Sequence, residues 1–209
     1  ALLEELGLQL RWVLETHVHA DHITGAAALR EMTGAQTVTG DMAGAECADV
    51  KASHGTVIAF GGEVLRVIAT PGHTPGCVSY RWRDRVFTGD ALLIGGCGRT
   101  DFQGGDAGTL YDSITQRLFC LPDETLVYPG HDYNGHRVSC IGQEKATNPR
   151  LATLDREAFI ARMAALKLPP PRAIDTALPA NQACGKEMEL IDVQDRKSTR
   201  LNSSHVSQS

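Results

Sequence analysis

Apolar and polar positions alternate along this chain at two periods, and each change of period marks an element. Leu2, Leu3 and Leu6 of "ALLEELGLQL" keep helical spacing, and "RWVLET" (11–16) is a compact apolar run of strand length. "ITGAAALREMTG" (23–34) returns to helical spacing and stops at Gly34, a residue suited to the left-handed turn that ends a helix. "GTVIAFGGEVLRVIATPG" (55–72) holds two strand candidates around Gly61 and Gly62. In "CVSYRW", Val78, Tyr80 and Trp82 alternate with Cys77, Ser79 and Arg81, which is the period of a β-strand. "DRVFTGD" (84–90) predicts a further strand, while Leu110, Ile114 and Leu118, four apart, predict a helix over 107–120. "ETLVYPGHD" (124–132) is a strand ending on a histidine, and from 141 the spacing of Phe159, Met163 and Leu166 is helical until "LPPPRA" breaks it. Strands alternating with helices predict an α/β fold, with one domain over 1–196 and no internal repeat. "KSTRLNSSHVSQS" (197–209) is polar and aperiodic and is expected to be a non-native or disordered tail, His205 included.

Composition narrows the function without choosing it. Twenty Lys and Arg against 25 Asp and Glu leave a net charge of -5 with no run of either sign, which argues against nucleic acid as a partner. No apolar run approaches the roughly 18 residues of a membrane span. The six cysteines, Cys47, Cys77, Cys97, Cys120, Cys140 and Cys184, form no CxxC pair and no regular framework. They are expected to be reduced and mostly buried thiols, and nothing in their spacing argues for disulfides. The chain begins at Ala1 inside a helical pattern, with no initiator Met or signal peptide, so a targeting segment is not visible. A bacterial-type cytoplasm is the expected compartment, or the mitochondrial matrix in a eukaryote.

Candidate chemistry gathers at strand ends. "THVHADH" (16–22) carries His17, His19, Asp21 and His22; "PGHTPG" carries His73, "TGDALL" Asp90 and "PGHDY" His131. Five of the eight histidines fall in these pieces, and each piece follows a predicted strand, where open α/β sheets place their chemistry. Neutral imidazole and carboxylate are ligands for zinc, iron and manganese. His17 and His19 are expected to project to one side, with Asp21 and His22 about a turn further on, so that two neighbouring metal positions can be served. His54 and His136 stand apart from the pattern and are expected to be ordinary surface or core residues.

The HxHxDH motif followed by single His, Asp and His residues resembles the metallo-β-lactamase superfamily. The fold this implies is the αββα sandwich, here expected to lack its first N-terminal strands. Within that superfamily, "THVHADHITGAAALRE", "PGHTPGCVSY", "FTGDALLIGGCGRTDFQGGDAGTLYDSI", "YPGHDYNG", "NPRL" and "PANQACG" resemble the persulfide dioxygenases over about residues 1–185. The resemblance implies a single Fe(II) held by His17, His73 and Asp90, a facial triad with three positions open to water, substrate and oxygen. It places His19, Asp21, His22 and His131 around that centre, orienting ligands and water, with no second metal. It implies glutathione persulfide and O2 as substrates, with sulfite and glutathione as products. Arg99 suits a glutathione carboxylate, or else an ion pair with Asp101 or Asp106. Tyr133 suits a hydrogen bond to the bound sulfur or oxygen, or else simple packing. Cys97 is expected to be a buried, inert thiol beside the pocket. Homodimerisation and a rhodanese partner are further implications.

The alternative within the superfamily is a glyoxalase II-type hydroxyacylglutathione hydrolase. It would use a binuclear site, two zinc ions per chain, with Asp90 bridging. All seven ligand-type residues are present, so the ligand set alone leaves both readings open. The "GDALLIGGCGRTDFQ" segment and the short Pro-rich stretch near the C-terminus favour the dioxygenase. A metal-binding module without turnover is a third reading, disfavoured by the completeness of the ligand set.

Overall fold

The computed structural model describes residues 2–153, 155–171 and 173–185, and the 197–209 tail, with His205, lies outside them. A short helix α1 (Leu2–Glu5) leads to strand β1 (Trp12–Leu14) and then to α2 (Ala26–Thr33), which Gly34 closes at φ 70°. Two strands follow, β2 (Gln36–Gly40) and β3 (Val50–Ala52). The meander β4 (Val57–Phe60), β5 (Glu63–Ala69), β6 (Val78–Trp82) and β7 (Arg85–Gly89) matches the predicted strands. Next come α3 (Ala107–Ser113), β8 (Leu126–Pro129), β9 (Ser139–Cys140), α4 (Ile141–Thr147), α5 (Arg156–Ala164) and α6 (Ile174–Gln182).

The strands form two sheets, a parallel one ordered β1-β2-β3 and a mixed one ordered β4-β5-β6-β7-β8-β9. Val38, Ala52, Ile58, Leu65, Val67, Val78 and Tyr80 pack between the sheets. On its other face the larger sheet meets helices through a cluster that includes Val86, Val127, Leu110, Ile114, Leu118, Ile141 and Phe159. With α2 against the smaller sheet, the layers run αββα, as the motif resemblance implies.

Four features depart from the sequence expectations. The predicted helix over 107–120 is α-helical only to Ser113 and continues as a π-helical turn, Ile114–Leu118, which still buries Ile114 and Leu118 completely. The helical stretch from 141 is two helices, separated where Asn148, the C-cap of α4, turns to extended backbone. α6 lies beyond the Pro-rich break and contains Pro179. The cysteines are not all reduced: Cys47 and Cys184, 137 positions apart, form a disulfide with Cα atoms 5.9 Å apart. Cys77 and Cys97 are buried free thiols as expected, whereas Cys120 is exposed and Cys140 half-buried. A pairing across that sequence separation depends on α6 folding back on the loop after β2, which spacing along the chain does not reveal.

Candidate metal centre

β1, β5, β7 and β8 all end at one edge of the sandwich, and the segments that follow them carry the candidate ligands. The sheets are joined there by a hydrogen bond from Val78 N to Thr16 O at 2.8 Å. Gly89 ends β7 at φ 52°, and a Cβ on it would meet the Thr16 hydroxyl group. Only glycine permits that approach, which brings Asp90 beside His17.

His17, His73 and Asp90 offer ligand atoms that all lie within 4.8 Å of one another. His17 is almost fully buried, and burial holds its imidazole neutral, pushed down to about 3 despite the pull of Asp90. His73 Nδ1 donates to the Arg99 carbonyl at 2.7 Å, which turns Nε2 toward the Asp90 carboxylate, 3.8 Å from Oδ2. Gly98 crowds the same ring: its N–H donates to the Asp90 carbonyl at 2.8 Å, and a Cβ there would lie 3.0 Å from the His73 ring. Burial opposes ionisation of Asp90, yet the hydrogen bond from His131 and the nearby imidazoles keep its carboxyl below the usual range. Two imidazoles and one carboxylate, oriented by hydrogen bonds from behind, are a donor set that fits a divalent transition metal.

His131 links the two acidic groups. Its Nδ1 donates to Asp90 Oδ1 at 2.7 Å and its Nε2 to Asp21 Oδ2 at 3.0 Å. The bond to Asp90 is the main cause that raises this imidazole to about 9, against the opposing effect of burial. For Asp21, burial is outweighed by hydrogen bonds from His22 and His131, which hold its carboxyl at about 2.

His19 stands between two groups, its ring centroid 4.2 Å from that of His17 and 4.2 Å from that of His22. The segment after β1 bends, and His19 offers its ligand atom with Asp21 and His22 in a second cluster whose ligand atoms also lie within 4.8 Å. His19 Nε2 is 3.5 Å from Glu15 Oε2, and its buried Nδ1 has no hydrogen-bond partner. Sequence reasoning gave no role to Glu15, although it lies directly before the motif, nor to Asn181 and Gly98, although both lie in segments that carry the resemblance, "PANQACG" and "GGCGRTDFQ".

A cavity of about 540 Å³ opens onto His17, His73 and Asp90, with Arg99, Tyr133 and Arg150 among its lining. Arg99 is already engaged: it binds Asp101 bidentately at 2.7 Å and donates to the Pro169 carbonyl at 2.7 Å and the Leu168 carbonyl at 3.3 Å. Its guanidinium also lies 4.4 Å over the Phe102 ring. Asp106 instead caps α3 through Thr109 N. Tyr133 is 79% exposed and stacks on His131, with ring centroids 5.8 Å apart. Arg150 was not singled out by its sequence context. Its guanidinium lies against the Met163 sulfur at 3.6 Å and the Cys97 thiol, and among the described residues no carboxylate pairs with it. Burial pushes the Cys97 thiol up to about 11, which fits the expected inert thiol. Of the remaining histidines, His54 Nδ1 accepts a hydrogen bond from Ala69 N, outside the site.

Residues 1–131 match the family model of the metallo-beta-lactamase superfamily. Together with the αββα layers and the ligand clusters at the sheet ends, this shows that the chain belongs to that superfamily. Within it the chain is similar to human mitochondrial persulfide dioxygenase ETHE1, 51% identical over 187 residues that cover 88% of this chain and 73% of that protein. The crystal structure of ETHE1 from Myxococcus xanthus superposes with a TM-score of 0.86 at 57% identity, covering 88% of this chain and 82% of the other. The hydroxyacylglutathione hydrolase of Anaeromyxobacter dehalogenans is 41% identical over 134 residues, 64% of this chain and 52% of that enzyme. No helix among the described residues is long and apolar enough to cross a membrane.

Proposed function

We propose that the chain is a persulfide dioxygenase that converts glutathione persulfide, O2 and water to glutathione and sulfite at a single Fe(II) held by His17, His73 and Asp90. The observation that carries this reading is the extent of the likeness. Similarity to a persulfide dioxygenase runs over 187 residues, whereas similarity to a hydroxyacylglutathione hydrolase runs over 134.

When bound, Fe(II) supplies the redox-active centre for oxidation of the persulfide sulfur by O2. The protein's part is orientation and charge. His131 occupies Asp90 Oδ1, which leaves Oδ2 as the ligand oxygen. The Arg99 carbonyl fixes the tautomer of His73 so that Nε2 faces the centre. Arg150, lacking a carboxylate partner among the described residues, is placed to take a carboxylate of the glutathione moiety, in place of the engaged Arg99. Tyr133, at the cavity wall, holds its hydroxyl group as a donor toward the substrate.

The second cluster, with the unpartnered His19 Nδ1, favours one other reading: a binuclear hydrolase of glutathione thioesters. Oxygen uptake with glutathione persulfide, measured beside metal content, separates the two. The dioxygenase consumes O2, forms sulfite, carries about one iron per chain, and loses both metal and turnover in Asp90→Ala. No oxygen uptake, two metals per chain and hydrolysis of S-lactoylglutathione would overturn it. The proposal extends to a homodimer and to a rhodanese acting in the same sulfur chemistry, which light scattering and coupled assays test.

A further inference from the structure

The segment that carries His17, His19, Asp21 and His22 is held from behind by the last helix. Asn181, on the buried face of α6 and 4% exposed, spends its whole amide on that loop. Its Nδ2 donates to the His19 carbonyl at 2.9 Å and to the His22 carbonyl at 2.7 Å, while its Oδ1 accepts from Thr24 N at 2.8 Å. Two more contacts continue the seam. Ala27 N donates to the Cys184 carbonyl at 3.0 Å, and a Cβ at Gly185 would collide with the Thr24 carbonyl.

The end of α6 is in turn fastened. Cys184, just past the C-cap Ala183 of the helix, is 5% exposed and takes φ 61°, a left-handed conformation that a residue with a side chain holds only when its surroundings over-determine it. The disulfide to Cys47 and the bond from Ala27 N do so here. Cys47 belongs to the loop after β2, in the layer from which the metal-ligand loop emerges. The disulfide therefore closes a chain of contacts from the smaller sheet through α6 to the backbone of the ligand loop.

We propose that α6 is a clamp on the metal-ligand loop, acting through the positioning residue Asn181, and that the Cys47–Cys184 disulfide sets how firmly it grips. A small thiol such as glutathione opens the clamp in two exchange steps. Its thiolate attacks Cys47 Sγ, the less buried sulfur, and Cys184 leaves as a thiolate that takes up a proton. A second thiolate then attacks the small-molecule sulfur of the mixed disulfide, releasing Cys47 and one molecule of the oxidised small disulfide. The loop keeps its residues but loses part of its support.

The inference requires only that this loop helps to hold a metal, and not any particular reaction. The protein is loaded with Fe(II), and the rate at which a chelator strips the iron is recorded beside kcat and KM. Asn181→Asp, which cannot donate to the two carbonyls, is expected to lose iron on the order of tenfold faster, with kcat reduced and KM unchanged. Cys47→Ser and thiol-reduced wild type are expected to shift the same way by a few-fold, and thiol treatment is expected to change nothing further in Cys47→Ser. Iron loss from Cys47→Ser, or from Asn181→Asp, at the wild-type rate would overturn the proposal. Cys47→Ser removes no hydrogen bond from the loop, and reduction of the wild type needs no substitution at all, so poor folding of Asn181→Asp leaves the test intact. A protein without persulfide turnover still gives up iron at a measurable rate, which keeps this result separate from the assignment of the reaction.

Discussion

Two arginines line the cavity, and what each already touches separates their roles. The Arg99 guanidinium is engaged by Asp101 and by the carbonyls of Leu168 and Pro169, and so it ties the cavity wall together. Among the described residues the Arg150 guanidinium meets the soft sulfur atoms of Met163 and Cys97 and pairs with no carboxylate. Arg150→Ala is therefore expected to raise KM for glutathione persulfide about tenfold or more with little change in kcat, the loss of one charge-assisted hydrogen-bonded contact. Arg150→Lys should restore part of it, and steady-state oxygen uptake reads both. An unchanged KM in Arg150→Ala would return carboxylate recognition to another residue. The candidate ligands were legible in the sequence because each follows a strand, and His73, Asp90 and His131 also lie beside Gly or Pro. The contact of Glu15 with His19 was not, since it depends on a bend after β1 that alternating spacing does not encode.

Elements were legible where one physical pattern dominated. The alternation in β6 and the Gly34 stop of α2 are local signals, and both elements form where expected. β2 escaped notice because its buried positions include Thr37 and Thr39, polar side chains that leave no apolar alternation. α6 was obscured by Pro179 and by the Pro-rich stretch before it, and its place is set by tertiary contacts. α5 is the reverse case, its apolar spacing being fully used. Phe159 is completely buried in the cluster beneath the larger sheet, with its ring centroid 5.4 Å from that of Tyr111. Phe159→Ala is expected to cost about 3–5 kcal/mol, seen as a lower denaturant midpoint, because the close-packed helices around it cannot collapse fully into the space. Its metal content at low denaturant should stay at the wild-type level, since α5 contributes no ligand.

At the scale of the whole molecule, the two sheets meet around a core and at one working edge. His17 follows a strand of the smaller sheet, whereas His73, Asp90 and His131 follow strands of the larger one. A metal held by His17, His73 and Asp90 is thus a bridge between layers as well as a reaction centre, and it binds the folded chain far better than the unfolded one. Saturation at about a hundred times the dissociation constant adds close to 2.7 kcal/mol of stability. Chelation is expected to lower the melting temperature by several degrees, a shift that calorimetry would record and that Asp90→Ala should not show. Equal melting temperatures with and without metal would mean that the layers hold together unaided. On the proposed assignment the same three side chains join the layers and set up the chemistry, and scarcity of the metal reaches further than catalysis. A cell short of it would carry less of the protein as well as less of its activity, since chains left without the bridge open more often to proteases and are cleared sooner.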